Sequence, residues 1–352
     1  MFVNKLYYSL LLIIGFCLPG SLSAQNPYFS QYYAAPLYLN PALAGAEREI
    51  SFSLNYRSQW NSHDAPYELS QFSFIYPIIM KRRAHTKHLG GVGLSAYRDM
   101  AGEGGVFKTQ GVGLTGSYRI PLSRAHTILT GLQAGFVQKR VDLGHLQWGS
   151  QYDDFIGYDD RITPSIGNIN EQTSFPIFEA GIVWHYAHQM LGYSAASRWA
   201  AFTGFSASNL NQPDESLLKD GTRPLPILMK LHGGLEYRSS RSFKLSPSFL
   251  LMMQNQHRQY NIGTYFTYTF ISDPYSRQPK TYNIQAGIWK RINDAYTFML
   301  GGSGRNMAVG LSYDMNTSSM RFHNLGKSAY EISLKYKIDK GKDMRRFSTP
   351  LM

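Results

Sequence analysis

Cysteine is almost missing from this sequence. Cys17 is the single example in 352 residues, and it lies in the amino-terminal stretch. A disulfide framework, a thiolate metal site and a cysteine nucleophile are therefore excluded for everything downstream. A chain that avoids thiols suits an oxidising compartment. Charge is scarce as well: Asp, Glu, Lys and Arg make up 16% of the residues, where a soluble domain carries about a quarter. Beyond residue 25 no stretch holds 18 apolar residues, so any bilayer crossing there has to use strands. Aromatics and glycine are plentiful instead, with 25 Tyr, 20 Phe and 32 Gly. That mixture fits a sheet with one face in lipid.

The formal charge is +12, but the basic residues are scattered and no helix-turn-helix or zinc pattern accompanies them. Nucleic acid is not an expected partner. Residues 1–24 read as a secretory signal, with Lys5 as the positive start, Leu10 to Leu18 as the apolar core and cleavage before Gln25. The apolar core is too short to span a bilayer, and Phe16 before Cys17 argues against a lipoprotein.

Residues 25–49 hold three prolines and read as an irregular lead-in or plug at the periplasmic mouth of whatever follows. From Ile50 the dominant period is two. In 330–338, Tyr330, Ile332, Leu334, Tyr336 and Ile338 alternate with Glu331, Ser333, Lys335 and Lys337. Successive side chains point to opposite faces, so one face meets lipid and the other meets water. Fourteen such segments follow, near 50–60, 66–78, 88–98, 106–120, 126–140, 175–186, 198–209, 228–238, 243–254, 259–270, 280–291, 296–301, 305–315 and 328–338. The expected fold is all-β, a transmembrane antiparallel outer-membrane β-barrel over 50–338, with a periplasmic tail at 339–352. An unpaired strand edge in hydrocarbon costs several kcal/mol per group, so the sheet has to close.

Loop lengths orient the barrel. The longest connections, 141–174 and 210–227, belong outside, and the short ones belong in the periplasm. On that assignment Lys81, Arg82, Arg83, Lys87, Arg124, Arg241 and Arg277, against Asp273, lie at periplasmic turns. The outer loops carry Asp64, Asp99, Glu103, Asp142, Asp153, Asp154, Asp159, Asp160, Glu171, Asp214, Glu215, Asp220 and Asp294. Inward-facing charges at Lys230, Glu236, Arg238, Glu331, Lys335 and Lys337 either ladder across an open lumen or close it. Tyr186, Tyr237, Tyr268, Phe270, Tyr313, Tyr330 and Tyr336 suit interfacial girdles.

Chemistry is not expected. His63, His145, His185 and His188 have no nucleophile motif around them, so no catalytic residue and no cofactor is assigned. Asp153-Asp154 and Asp159-Asp160 lack the glycine and the terminal glutamate of a calcium loop, so no metal is expected.

One block stands out. Asn26-Pro27-Tyr28-Phe29-Ser30-Gln31-Tyr32 is followed by Pro36-Leu37-Tyr38-Leu39-Asn40-Pro41-Ala42-Leu43-Ala44-Gly45. It resembles the amino-terminal signature of the PorP/SprF family, membrane proteins of the type IX secretion system. Pro27, Phe29, Ser30, Gln31, Tyr32, Pro36, Leu37, Tyr38, Asn40, Pro41, Ala42 and Gly45 carry the match, while Asn26 and Ala35 depart from it mildly. Tyr56-Arg57-x-Gln59-Trp60 and Ser312-Tyr313-Asp314 add weaker matches. The resemblance implies a cell outer-membrane barrel that assists export or surface attachment of a secreted adhesin, including adhesins of gliding motility, or that engages the periplasmic secretion machinery. A passive porin-like channel for small solutes is the competing expectation.

Overall fold

The structure is a computed structural model, and it describes residues 28–59, 66–81, 86–123, 125–142, 144, 147–153, 155–159, 161–162, 168–187, 199–219, 221–240, 242–272, 280–317 and 327–338. The signal segment, Pro27, Trp60, the tail 339–352 and the charges Asp64, Arg82, Arg83, Arg124, Asp154, Asp160, Asp220, Arg241, Asp273 and Arg277 lie outside the described residues, as do His63, His145 and His188.

Fourteen strands form one closed antiparallel barrel. They are β1 (Ile50–Gln59), β2 (Tyr67–Lys81), β3 (Thr86–Ala101), β4 (Phe107–Pro121), β5 (His126–Val141), β8 (Gln172–Ala187), β9 (Trp199–Ser208), β10 (Leu228–Arg238), β11 (Phe243–Gln254), β12 (His257–Ser272), β13 (Lys280–Arg291), β14 (Ala295–Ser303), β15 (Met307–Asn316) and β16 (Lys327–Ile338). Each pairs with its chain neighbour, and β1 pairs with β16 from Ile50↔Ile338 to Gln59↔Ala329, which shuts the ring. Two short strands, β6 (Tyr152–Asp153) and β7 (Gly157–Tyr158), form a separate hairpin in the connection from β5 to β8. The shortest barrel strand has nine residues, enough for a tilted crossing.

The alternation places the residues as the sequence pattern requires. On β16, Tyr330, Ile332, Leu334 and Tyr336 face outward, whereas Glu331, Ser333 and Lys335 are buried in the lumen. On β4, Val112, Leu114 and Tyr118 face lipid and Thr115 faces in. Prolines sit where the ladder does not need their N–H. Pro77 lies beyond the last residue of β2 that pairs with β1, and Pro176 lies before β8 begins to pair with β9.

Three sequence expectations need adjustment. Asp99 is not in an outer loop: it lies within β3 and lines the lumen. Arg238 ends β10 exposed, so it takes no part in an inward charge ladder. Lys87 belongs to β3 rather than to the turn before it.

Candidate functional site

The barrel is not hollow. Residues 28–46 run through it and are buried almost throughout. A three-residue 3-10 turn (Tyr32–Ala34) leads to a single α-helical turn, α1 (Pro36–Leu39), and then to a second 3-10 segment (Pro41–Gly45). Prolines open the last two, where a missing N–H costs nothing. Asn40 caps the second: its side-chain oxygen accepts from the Ala42 N–H at 2.9 Å.

The path has a direction. Tyr28 lies near the turn between β13 and β14, where its hydroxyl donates to Asp294 at 3.4 Å. Glu47, at the other end, pairs with Lys335, and with Lys337 at 3.5 Å, near the last residues of β16. The segment therefore descends from the long-loop end of the lumen to the short-turn end, then turns into β1. It fills far more of the lumen than the short-turn mouth.

Its first residues meet a buried ionic cluster. The Ser30 and Gln31 backbone N–H groups donate to the two Glu331 carboxylate oxygens at 2.7 and 3.1 Å. The Ser30 hydroxyl donates to Asp314 at 2.8 Å and accepts from Arg57 at 2.7 Å. Arg57 pairs with Asp314 at 2.8 Å and with Glu331 at 3.5 Å, and Arg291 pairs with Asp314 at 3.2 Å. Thr297 donates to Asp314 at 2.7 Å. Gln31 donates to the Glu331 carbonyl at 3.1 Å and accepts from Ser333 at 2.6 Å. Tyr28 lies against both cations, with Arg291 4.5 Å and Arg57 5.0 Å from its ring centre. Burial pushes its phenol up to about 12 against the pull of both guanidiniums, so it stays neutral. Buried charges of both signs that are paired and hydrogen-bonded avoid the cost of lone buried ions. The cluster joins β1, β13, β14, β15 and β16, and so it lies across the seam where first and last strands meet.

The remainder packs by shape. Phe29 meets Tyr38 edge-on at 5.5 Å and joins Ala35, Leu69 and Tyr67. Tyr33 stands edge-on to Phe202 at 5.5 Å, and the Tyr32 hydroxyl lies 3.2 Å from that of Ser248. Lys230 donates to the Tyr38 carbonyl and lies over its ring. The Asn40 amide donates to the carbonyls of Ile182 and Phe205 at 3.2 and 3.1 Å. Two barrel glycines admit this approach: a Cβ on Gly131 would lie 2.3 Å from the Ala42 nitrogen, and one on Gly181 would lie 2.0 Å from the Asn40 side-chain oxygen. Burial of Leu37, Leu39 and Leu43 stabilises the seated segment by about 1.5–3 kcal/mol each.

All described residues of the amino-terminal block thus enter one plug; Pro27 lies outside them. Of the inward charges expected to ladder across the lumen or close it, Lys230 and Glu331 contact the seated segment and Lys335 pairs with Glu47 just beyond it. Arg57 and Asp314 stand within the weaker family matches, but nothing in the sequence joins them to each other or to Arg291 and Glu47. The available signal was parity: Arg57 falls on the same face as Ser51, Ser53 and Asn55, opposite Phe52, Leu54 and Tyr56.

Above the plug, at the long-loop end, a cavity of about 950 Å³ remains. Tyr38 forms part of its floor, with Tyr97, Asp99 and Glu179 on the wall. The connection from β9 to β10 roofs one side. There Glu215 pairs with Lys139, and with Arg223 at 3.5 Å, while Leu225 packs on Val137, Phe175 and Ile177. The Asp214 carboxyl is held below its usual range by the N–H groups of Arg223 and Ser216 that fold this connection.

His185 sits near the short-turn end of β8, buried in the wall beside Thr127 of β5. Among the described residues no group of three or more His, Cys, Asp and Glu gathers as metal ligands do.

Solved barrels resemble this one in outline. The Pseudomonas putida toluene transporter TodX aligns over 90% of this chain and 95% of its own at 10% identity, with a TM-score of 0.46. The Ralstonia pickettii toluene transporter TbuX aligns over 86% and 93% at 9% identity, TM-score 0.44. A Pseudomonas aeruginosa FadL homologue aligns over 84% and 92% at 13% identity, TM-score 0.41. A search of curated proteins found no match. The family description "Type IX secretion system membrane protein PorP/SprF", in contrast, matches residues 21–336. A closed barrel with a lipid-facing girdle, matched over most of its length in this way, belongs to the PorP/SprF family of type IX secretion system membrane proteins and resides in the outer membrane.

Proposed function

We propose that the protein is a sealed docking barrel that assists export or surface attachment of a secreted adhesin, receiving that partner in its outer cavity. The observation that carries the reading is the filled lumen. Residues 28–46 are held at the start by hydrogen bonds from Ser30 and Gln31 to Glu331, at the far end by the Glu47–Lys335 ion pair that follows them, and in between by close packing, which argues against an open passive channel. The cavity at the long-loop end offers what a docking site needs: a concave surface where apolar groups such as Phe175, Ile177 and Leu225 lie beside charged ones such as Asp99, Lys139, Glu179 and Lys230. The periplasmic mouth, where Lys335 and Lys337 gather around Glu47, is the natural contact for the secretion machinery on that side. Nothing in this role requires catalysis, and His185 lies at the end of the lumen remote from the cavity.

Two measurements test the proposal. Purified protein in planar bilayers is expected to show no steady conductance, and deletion of residues 28–45 is expected to create it. Detergent pull-down from native membranes with mass spectrometry is expected to recover a type IX-exported adhesin. A steady ohmic current through the intact protein, with no adhesin recovered, would restore the passive channel.

A further inference from the structure

The β6–β7 hairpin exposes large apolar side chains. Phe155 is 97% exposed and Ile156 is 75% exposed at its tip, and Tyr152 is 56% exposed on its stem. The Tyr152 and Tyr158 rings lie across the stem with centres 5.7 Å apart. This is not a frayed loop. Gln151 is buried, its amide donates to the Ile162 carbonyl at 3.0 Å, and its side-chain oxygen accepts from the Trp148 N–H at 3.1 Å. The Asp159 N–H closes the stem on the Gln151 carbonyl at 2.9 Å. Trp148 in turn packs on the Val106–Val141 cluster, which Ile169 and the cavity-lining Leu217 also cover, so the hairpin stands on the rim of the outer cavity.

A clustered and exposed apolar tip on a held stem is the form of an interface anchor: aromatic side chains set in a partner's pocket supply most of the energy of a protein contact. The surrounding sequence selects the partner. In the sequence, Asp153 and Asp154 precede Phe155-Ile156 directly, Asp159 and Asp160 follow three residues on, and Arg161 is the one basic residue beside them. A run of carboxylates in that stretch is repelled by an anionic lipid surface and attracted by a basic rim.

We infer that the hairpin tip is a docking finger that inserts Phe155 and Ile156 into an apolar pocket with a basic rim on a protein outside the cell. The inference builds on the docking role proposed above but fails independently of it.

A photo-crosslinking amino acid in place of Phe155, activated on living cells, tests it, with Phe243 on the barrel wall as the control position. A single protein adduct is expected at 155 and not at 243. Its yield is expected to fall at least fivefold in an Asp154→Asn/Asp160→Asn background, which leaves the Asp159 contacts in place. Phe155→Ser/Ile156→Ser is expected to fold normally and to lose at least tenfold of the adhesin recovered by pull-down. An adduct to lipopolysaccharide, no adduct, or a yield indifferent to the acidic residues would overturn the inference. Full adhesin recovery by the double serine variant would overturn it while leaving the cavity-docking proposal intact.

Discussion

Arg57 shows how much depends on one side chain. It is 1% exposed and faces Asp314 and Glu331 at once. Truncation leaves two carboxylates in a dry site with only Arg291 to compensate. Arg57→Ala is expected to cost about 3–5 kcal/mol, the range for breaking one partner out of a buried ionic group. A lowered midpoint in the heat-modified gel mobility of the folded barrel would register it; an unchanged midpoint would mean that the cluster is not dry. Glu47 gives a pH-dependent counterpart. Burial alone would raise its carboxyl, but Lys335 and Lys337 outweigh burial and hold it at about 2. A carboxyl whose folded value lies below its unfolded one stabilises fully above the unfolded value, and the contribution disappears as pH falls through the folded one. The stability gap between the native protein and Glu47→Gln should therefore be widest at neutral pH and should close between about pH 4.5 and 2. A gap that is constant across that window would show that the pairing does not act.

At the scale of elements, the barrel strands were legible from period two because lipid on one side and a wet lumen on the other impose opposite chemistries on neighbouring residues. All fourteen segments appear, including β9, whose Trp199-Ala200-Ala201-Phe202 opening alternates poorly; its pairing with β8 and β10 overrides that weak pattern. The plug was less legible. Its helical turns are too short for any periodicity to show, and its contacts run from residue 30 to residue 331, a separation no local pattern encodes. The aromatic content of 28–38 did signal a buried fate, but not how far into the lumen it reaches. The complementary feature lies in the wall, where glycine makes room. Gly131→Leu puts carbon where the Ala42 backbone lies, so the barrel should form with its segment unseated. Protease cleavage within 28–46 and new conductance, with normal strand content by circular dichroism, are the expected results. A variant that is protease-resistant and silent would show that the wall yields instead.

The whole molecule is read by contrasting its two faces. Leu114 points to lipid from the middle of β4, while its neighbour Thr115 is buried in the lumen. Leu114→Arg should destabilise by about 2–4 kcal/mol in a bilayer, as arginine does on the lipid face of an outer-membrane barrel at midplane. Refolding titrations in lipid vesicles measure this, and a negligible change would place that girdle outside the hydrocarbon. The polarity of the molecule also follows from its longest connections, which gather at one end with the cavity and the hairpin. The ionic clasp around Ser30 and Gln31 has a consequence for biogenesis. It draws together the first strand to emerge and the last two, and the chain that fills the centre precedes all of them. A completed cylinder would have to be threaded by a segment bearing Phe29, Tyr32, Tyr33 and Tyr38. Assembly avoids this if the wall is wound around the segment like staves around a core, with the final hydrogen-bonded joint sealed last.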